Sequence, residues 1–340
     1  MSALPDPRRY GAGGSANPLL ALADRDRAEL IGVLRELAVA RCDVEIADAL
    51  AEASSQAVYA RVWRALCAAI EKPPSDESLT PRIFAIPWVI VCSGTAAATV
   101  SCVLSDVAQL ARILEQHGVF GASRNLGLSN ALCAVDALEA FSPSEVVHGW
   151  ENARFREVAP APISVLRGVE EVHVRFLPGA AIAPAHAPDI VETGANVGAW
   201  GTPALRAMAV QLATPGAQIL PMPRPPAGLY SAAYAGRRAG VEAALNLFMS
   251  NVVRRFRMTV GDPSLTISSH EGNELRITLW SVFDEAMVEG FRWPLHPADD
   301  LGDIERTIAM LAEEVRLPTP IVADGVFADR TSTGAVLFPH

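Results

Sequence analysis

The residues with the clearest chemical potential form one run, Glu192-Thr193-Gly194-Ala195-Asn196-Val197-Gly198-Ala199-Trp200-Gly201-Thr202-Pro203. Three glycines precede Thr202-Pro203, a pair that caps and opens helices. Bare amides at a helix start hold anions, and glycine lets a ligand come close. On this reading Gly194 and Gly198 admit the ligand. Thr193, Asn196 and Thr202 hydrogen-bond it, Trp200 offers a stacking face and Arg206 a charge. The spacing is neither the dinucleotide fingerprint GxGxxG nor the phosphate loop GxxxxGK[ST]. The competing reading is a structural loop whose Trp fills the core.

Other clusters are weaker. Cys92-Ser93-Gly94-Thr95 at a strand-to-helix turn would lower a thiol pKa. A Cys-x5-Arg loop needs Arg where Ala98 stands, and Gly-x-Ser-x-Gly is absent. A hairpin that turns at Cys92–Thr95 and returns along Ala97–Leu104 makes these ordinary core and turn residues. His296, Asp299, Asp300, Asp303 and Glu305 gather oxygen ligands, but acids in a first helical turn are expected from the helix dipole. His186 and Asp189 are two potential ligands in a proline turn, too few for a metal site. No metal and no cofactor is called for. Arg254, Arg255 and Arg257 suit a helix C-terminus.

The only lysine is Lys72, in Glu71-Lys72-Pro73-Pro74. Schiff-base, pyridoxal-phosphate, P-loop and protein-kinase chemistry all use a Lys in a defined context, and none surrounds this one. The Arg bias is that of a GC-rich, bacterial coding sequence. Apolar residues make up 50% and charged residues 19%, against roughly 25% charged in average domains. So little charge points to a self-association face. A net charge of -10 without a basic run argues against nucleic acid and anionic membranes. Five cysteines without a CxxC predict free thiols in a reducing cytoplasm. The N-terminal stretch through Asp26 has Arg8 and Arg9 but no adequate apolar h-region after them, so it does not read as a signal peptide. The uncharged stretch Ile83–Ser105 is interrupted by Pro87 and by Ser, Thr and Gly, so it does not read as a membrane span.

Hydrophobic periodicity then places the elements. Leu30, Val33, Leu34 and Leu37, and a longer run from Val44 to Ile70, predict helices. Ile83–Cys92 and Glu171–Leu177 predict strands. Ser105-Asp106 and Ser129 are helix caps, and Ser142-Pro-Ser-Glu145 is a capping box. Helices are predicted from Thr202 to Ala213 and from Leu229 to Met258, the second with a stripe of Val241, Leu245, Phe248, Val252 and Phe256. Between Leu265 and Trp280 a hairpin is predicted. A two-residue turn would mix its faces, whereas a three-residue loop Glu271-Gly272-Asn273 pairs Leu265 with Leu279, Ile267 with Ile277 and Ser269 with Leu275. The opposite face, Thr266, Ser268, His270, Glu274, Arg276 and Thr278, then reads as solvated, with His270 and Glu274 as a conceivable acid–base pair. Helices at Asp284–Glu289 and Asp300–Val315 and a strand at Pro320–Ala323 follow.

The predicted class is α+β: a helical N-terminal unit, then mainly antiparallel β-hairpins and sheet covered by amphipathic helices. The predicted divisions are a disordered 1–16, a helical unit at 17–78, and α/β subdomains at 79–155 and 156–340. The expected function is a cytoplasmic, non-catalytic assembly protein that self-associates or binds a protein partner. The alternative is an enzyme or sensor holding a small anionic ligand at 193–203.

Overall fold

The computed structural model describes residues 17–71, 80–120, 124–152, 154–183, 194–270, 274–284 and 286–323. The expected disorder at 1–16, most of the linker after Glu71 and the pair His186/Asp189 lie outside the described residues. Helices come first and mainly antiparallel sheets follow, an α+β architecture as the pattern predicts. The chain divides into two compact units, Met1–Arg237 and Arg238–His340.

In the first unit, helices α1 (Pro18–Arg25), α2 (Arg27–Val39), α3 (Asp43–Ala51) and α4 (Gln56–Glu71) form an apolar layer. Asp26 caps α2 by accepting from the amides of Ala28 and Glu29. The single run expected from Val44 to Ile70 is two helices. The break falls at Ala53-Ser54-Ser55, where Ser55 Oγ accepts from Val58 N. A four-stranded sheet follows in the order β3 (Arg124–Leu128), β5 (Glu170–Ala183), β1 (Thr80–Gly94), β6 (Ala217–Pro223). The expected hairpin return at Ala97–Leu104 does not occur. β1 is a central strand paired antiparallel with β5 and β6, while β2 (Ala98–Val100) pairs with β4 (Ile163–Val165). Long-range pairing therefore joins residues from both sides of position 155, which local pattern does not show.

Proline governs the edge of this sheet. Arg224 N donates to Pro87 O, so Pro223 and, by alternation, Pro221 direct their backbone groups away from β1. Those two positions offer no N–H on the free edge of β6, which blunts it against a further strand.

Helices α5 (Val107–Gln116), α6 (Val135–Glu139), α7 (Pro143–Asn152) and α8 (Val197–Leu212) complete the layers. Asp106 caps α5 through Gln109 N, and Gly118 ends it at φ +61°. Ser129 caps no helix. It accepts from Ala131 N in extended chain, and α6 starts at Val135. The capping box at α7 forms as expected: Ser142 N donates to Glu145 Oε2 at 2.9 Å and Glu145 N to Ser142 Oγ at 3.3 Å. A second carboxylate arrives from α3, where Asp43 accepts from Ser144 N and Oγ at 2.8 and 2.6 Å.

The long helix α9 (Leu229–Thr259) starts in the first unit, and its N-terminus is closed by Glu71, the last residue of α4. Glu71 Oε1 accepts from the amides of Tyr230 and Ser231 at 2.8 and 3.0 Å, and Oε2 accepts from Ser231 Oγ at 2.5 Å. Tyr230 Oη donates to Phe141 O at 2.7 Å. Gly228 makes room for this cap, because a Cβ there would lie 2.2 Å from Glu71 Cδ.

In the second unit, the remainder of α9 and α10 (Leu301–Glu314) cover one face of a sheet ordered β10 (Ile321–Ala323), β7 (Ser264–His270), β8 (Glu274–Trp280), β9 (Val288–Pro294). Leu245, Val252 and Phe256 of the predicted stripe are buried there, and Val241 and Phe248 pack beside them. The β7–β8 register is the three-residue-loop register: Leu265 pairs with Leu279, Ile267 with Ile277 and Ser269 with Leu275. The helix expected at Asp284–Glu289 is absent. Met287 N closes a turn on Asp284 O, and Val288 begins β9 paired to Trp280.

Gly228→Ala is expected to displace the Glu71 carboxylate and lower stability by about 2–3 kcal/mol, since hydrogen bonds to a charged group are each worth about 1.5–3 kcal/mol. Adding Glu71→Ala in that background should cost little more. Urea unfolding of the two single variants and the double variant checks this, and additive losses would show that the two residues act separately.

Candidate functional site

The structure places the glycine-rich run at the start of α8, five residues earlier than Thr202. Thr193 lies outside the described residues. Gly194 is buried because Pro226 packs on it, and an added Cβ would lie 2.4 Å from that ring. Trp200 is only 1% exposed and donates from Nε1 to Gly194 O at 3.1 Å. Its ring therefore belongs to the core and offers no stacking face. Pro203 lies inside the helix instead of opening it. Asn196 is the N-cap residue but makes no side-chain cap bond. Gly198, Thr202 and Arg206, spaced four apart, share the exposed side.

Cys92 sits in the centre of the sheet, opposite Glu171 and Ile219, and not at a strand-to-helix turn. Burial pushes its thiol up to about 11, helped by neighbouring Cys102 and opposed by Arg175. Burial likewise raises Cys133 to about 12. Arg175 points inward, donating to Ala161 O, Val174 O and Pro162 O at 2.7, 2.8 and 2.9 Å. Burial and the Arg175 charge together hold His173 below the usual imidazole range. Arg175 braces backbone, and the thiols around it stay protonated.

The acids near α10 serve local structure. Asp299 Oδ2 accepts from His296 N at 2.7 Å, Asp300 caps α10 through Asp303 N at 3.1 Å, and Asp303 pairs with Arg238 at 2.6 Å. Hydrogen bonding to Arg238 holds the Asp303 carboxyl below its usual range. Among the described residues, no three His, Cys, Asp or Glu side chains converge on a point where one metal ion would sit.

The polar face of the second sheet departs most from expectation. It is not solvated: Thr266, Ser268, Arg276 and Thr278 are all buried. Arg276 and Arg292 stand opposite each other on β8 and β9, and Glu274 lies between them, 3.1 Å from Arg276 Nε and 3.9 Å from Arg292 Nη1. Trp280 Nε1 donates to Thr266 Oγ1 at 2.9 Å. Among the described residues the hydroxyls of Ser268 and Thr278 find no hydrogen-bond partner. His270 is in register with Glu274, but the description stops short of its side chain.

A surface that sequence reasoning missed lies on the first sheet, opposite the face that carries Trp88 and Trp200. Cross-strand register aligns Val172, Val91 and Leu220 in one row, and Val174, Val89 and Met222 in the next. Val91, Val172 and Met222 are half-buried and Leu220 is 48% exposed, whereas Val89 is fully buried and Val174 packs against the first core, so the open part is the first row. Farther along the same face Ala85, Phe176 and Ala180 belong to the first core, with α9 close on Phe176 at Gly236. The signal in the sequence was the alternation of Val172, Val174 and Phe176, but three strands from distant parts of the chain must align before it becomes a patch.

A scan of family models, a search of curated proteins and a search of solved structures each find no match for this chain.

Cys42 is the only one of the five cysteines that is not buried. A thiol reagent such as DTNB is expected to label it alone in the native protein and all five in denaturant. Burial, Glu45 and Asp43 raise the Cys42 pKa, so labelling should quicken as pH rises from 7 to 9. Fast labelling that persists in Cys42→Ser would refute the assignment. On the second sheet, Ser268→Ala and Thr278→Val remove buried hydroxyls without partners and are expected to raise stability by about 1 kcal/mol each in urea unfolding. A clear loss would show that the hydroxyls hold a group in solution.

Proposed function

We propose that this chain is a cytoplasmic protein that works by self-association, not by turnover. It would dimerise through the open half of the first sheet. The observation that carries this reading is the row Val172–Val91–Leu220, apolar across three strands and incompletely covered, with half-buried Met222 beside it. Three features support a second copy as the occupant. The proline-blunted edge of β6 disfavours edge-to-edge strand addition, leaving face-to-face packing. A flat row of branched side chains is self-complementary about a two-fold axis. A chain with only 19% charged residues has little to keep copies apart at such a face. Five unpaired cysteines fit a reducing compartment.

The alternative, a small anion at residues 193–203, retains Asn196, Gly198, Thr202 and Arg206 on the exposed side of the α8 start. It loses the stacking role of Trp200.

Light scattering after size-exclusion chromatography tests the proposal. The expected species has twice the chain mass at micromolar concentration. Leu220→Arg should weaken the dimer at least about tenfold, the effect of roughly 1.4 kcal/mol, with an unchanged circular dichroism spectrum. A wild-type monomer at 100 micromolar, or a dimer indifferent to this substitution, overturns it.

A further inference from the structure

The second unit contains an open depression of about 440 Å³ where α9 and α10 both end, lined by Ser250, Val253, Arg254, Arg257, Met258, Glu314, Val315 and Arg316. That volume lies within the range of small-molecule sites, roughly 300–1,000 Å³. Three of its residues are arginines in a chain whose net charge is -10.

The arginines do different work. Two helix C-termini converge here, and their carbonyl ends repel anions. Arg257 offsets this: Nη2 donates to Val315 O and Arg316 O at 3.1 Å each, and Nε donates to Asp262 at 2.5 Å. Arg254 and Arg316 are left over. Arg254 donates to the neutral amide of Asn251 at 3.1 Å, and among the described residues no carboxylate pairs with either guanidinium. Glu314 lines the same depression, with its carboxylate accepting from Asn246 Nδ2 at 3.2 Å. That negative charge favours an incoming monoanion over a dianion. The rest of the lining is Ser250 and an apolar part in which Met258 is 76% exposed, Val315 half-buried and Val253 buried beneath them.

We propose that this depression binds a small aliphatic monocarboxylate. The carboxylate would lie between Arg254 and Arg316, and the hydrocarbon would lie along Met258 and Val315. A guanidinium hydrogen-bonds a carboxylate in two parallel bonds, which suits this head group. All the residues that line the site belong to the second unit.

The position of Arg316 provides a clean variant. α10 ends in a Schellman turn, with Leu317 N bonded to Ala312 O at 2.8 Å and Arg316 N to Glu313 O at 2.9 Å. This turn puts Arg316 at φ +60°, a conformation natural to glycine. Arg316→Gly therefore removes the guanidinium while relaxing the backbone, and the variant is expected to unfold no earlier than the parent.

The test is isothermal titration of the full chain with octanoate, with octanol and inorganic phosphate as comparison ligands. Octanoate is expected to bind, with octanol and phosphate each at least tenfold weaker. Arg254→Ala and Arg316→Gly should each weaken octanoate about tenfold, with the melting temperature of Arg316→Gly unchanged or higher. No octanoate binding up to 10 millimolar overturns the proposal. So does binding indifferent to both substitutions, or octanol binding as tightly as octanoate.

Discussion

A single carboxylate organises the first unit. Glu71 ends α4 and sits on the N-terminus of α9, where it meets two backbone amides and a hydroxyl. The first four amides of any helix lack partners within it, and a helix start buried against a layer must find them elsewhere. Here the negative charge also meets the positive end of the dipole of a 31-residue helix. Asp43 repeats the device at α7. The helical layer is therefore joined to later elements by polar caps placed within apolar packing. Such caps define direction and register, whereas apolar contact alone tolerates sliding.

The consequence reaches the sheet. With α7 and α9 held by their N-termini, the first core closes over Ile83, Ala85, Phe176 and Ala180. The other face of β1 and β5 is filled separately, with Trp88, Trp200, Leu110 and Leu114 among its residues. β1 has to serve both cores, which explains its near-continuous run of apolar residues without alternation. Pro87 is tolerated in this central strand because its nitrogen faces the irregular stretch around Arg224, where the next paired residue is Ala227 opposite Ala85.

Local rules were legible in the sequence, and long-range ones were not. The capping box at Ser142, the stripe of α9 and the register of β7 with β8 all rest on residues within a few turns or one hairpin, where period and cap chemistry decide. The Ala97–Leu104 return strand was misplaced because β1 finds its partners about 80 to 140 residues later, and nothing local distinguishes that from a hairpin. The same limit applied to chemistry. Trp200 could be read as a stacking face or a core residue, and packing alone decided for the core. The hairpin face with Ser268, Arg276 and Thr278 read as solvated because polar alternation normally faces water. Burial depends on what lies above the face, which strand pattern does not encode.

These observations narrow how the molecule can meet others. Strand addition at β6 is opposed by Pro221 and Pro223, which remove the donors an incoming strand would use. Nucleophilic chemistry at Cys92, Cys102 or Cys133 is opposed by burial, which keeps each thiol protonated at neutral pH. What stays accessible differs between the units: a partly open row of branched apolar side chains through Leu220 on the first, and a basic, partly apolar hollow on the second. Neither needs a reacting group. Apolar area drives association without direction, and a guanidinium adds direction by fixing where a carboxylate lies. In the second unit one place where arginines gather beside an exposed apolar side chain is the end of α9, where Arg254 and Arg316 flank Met258.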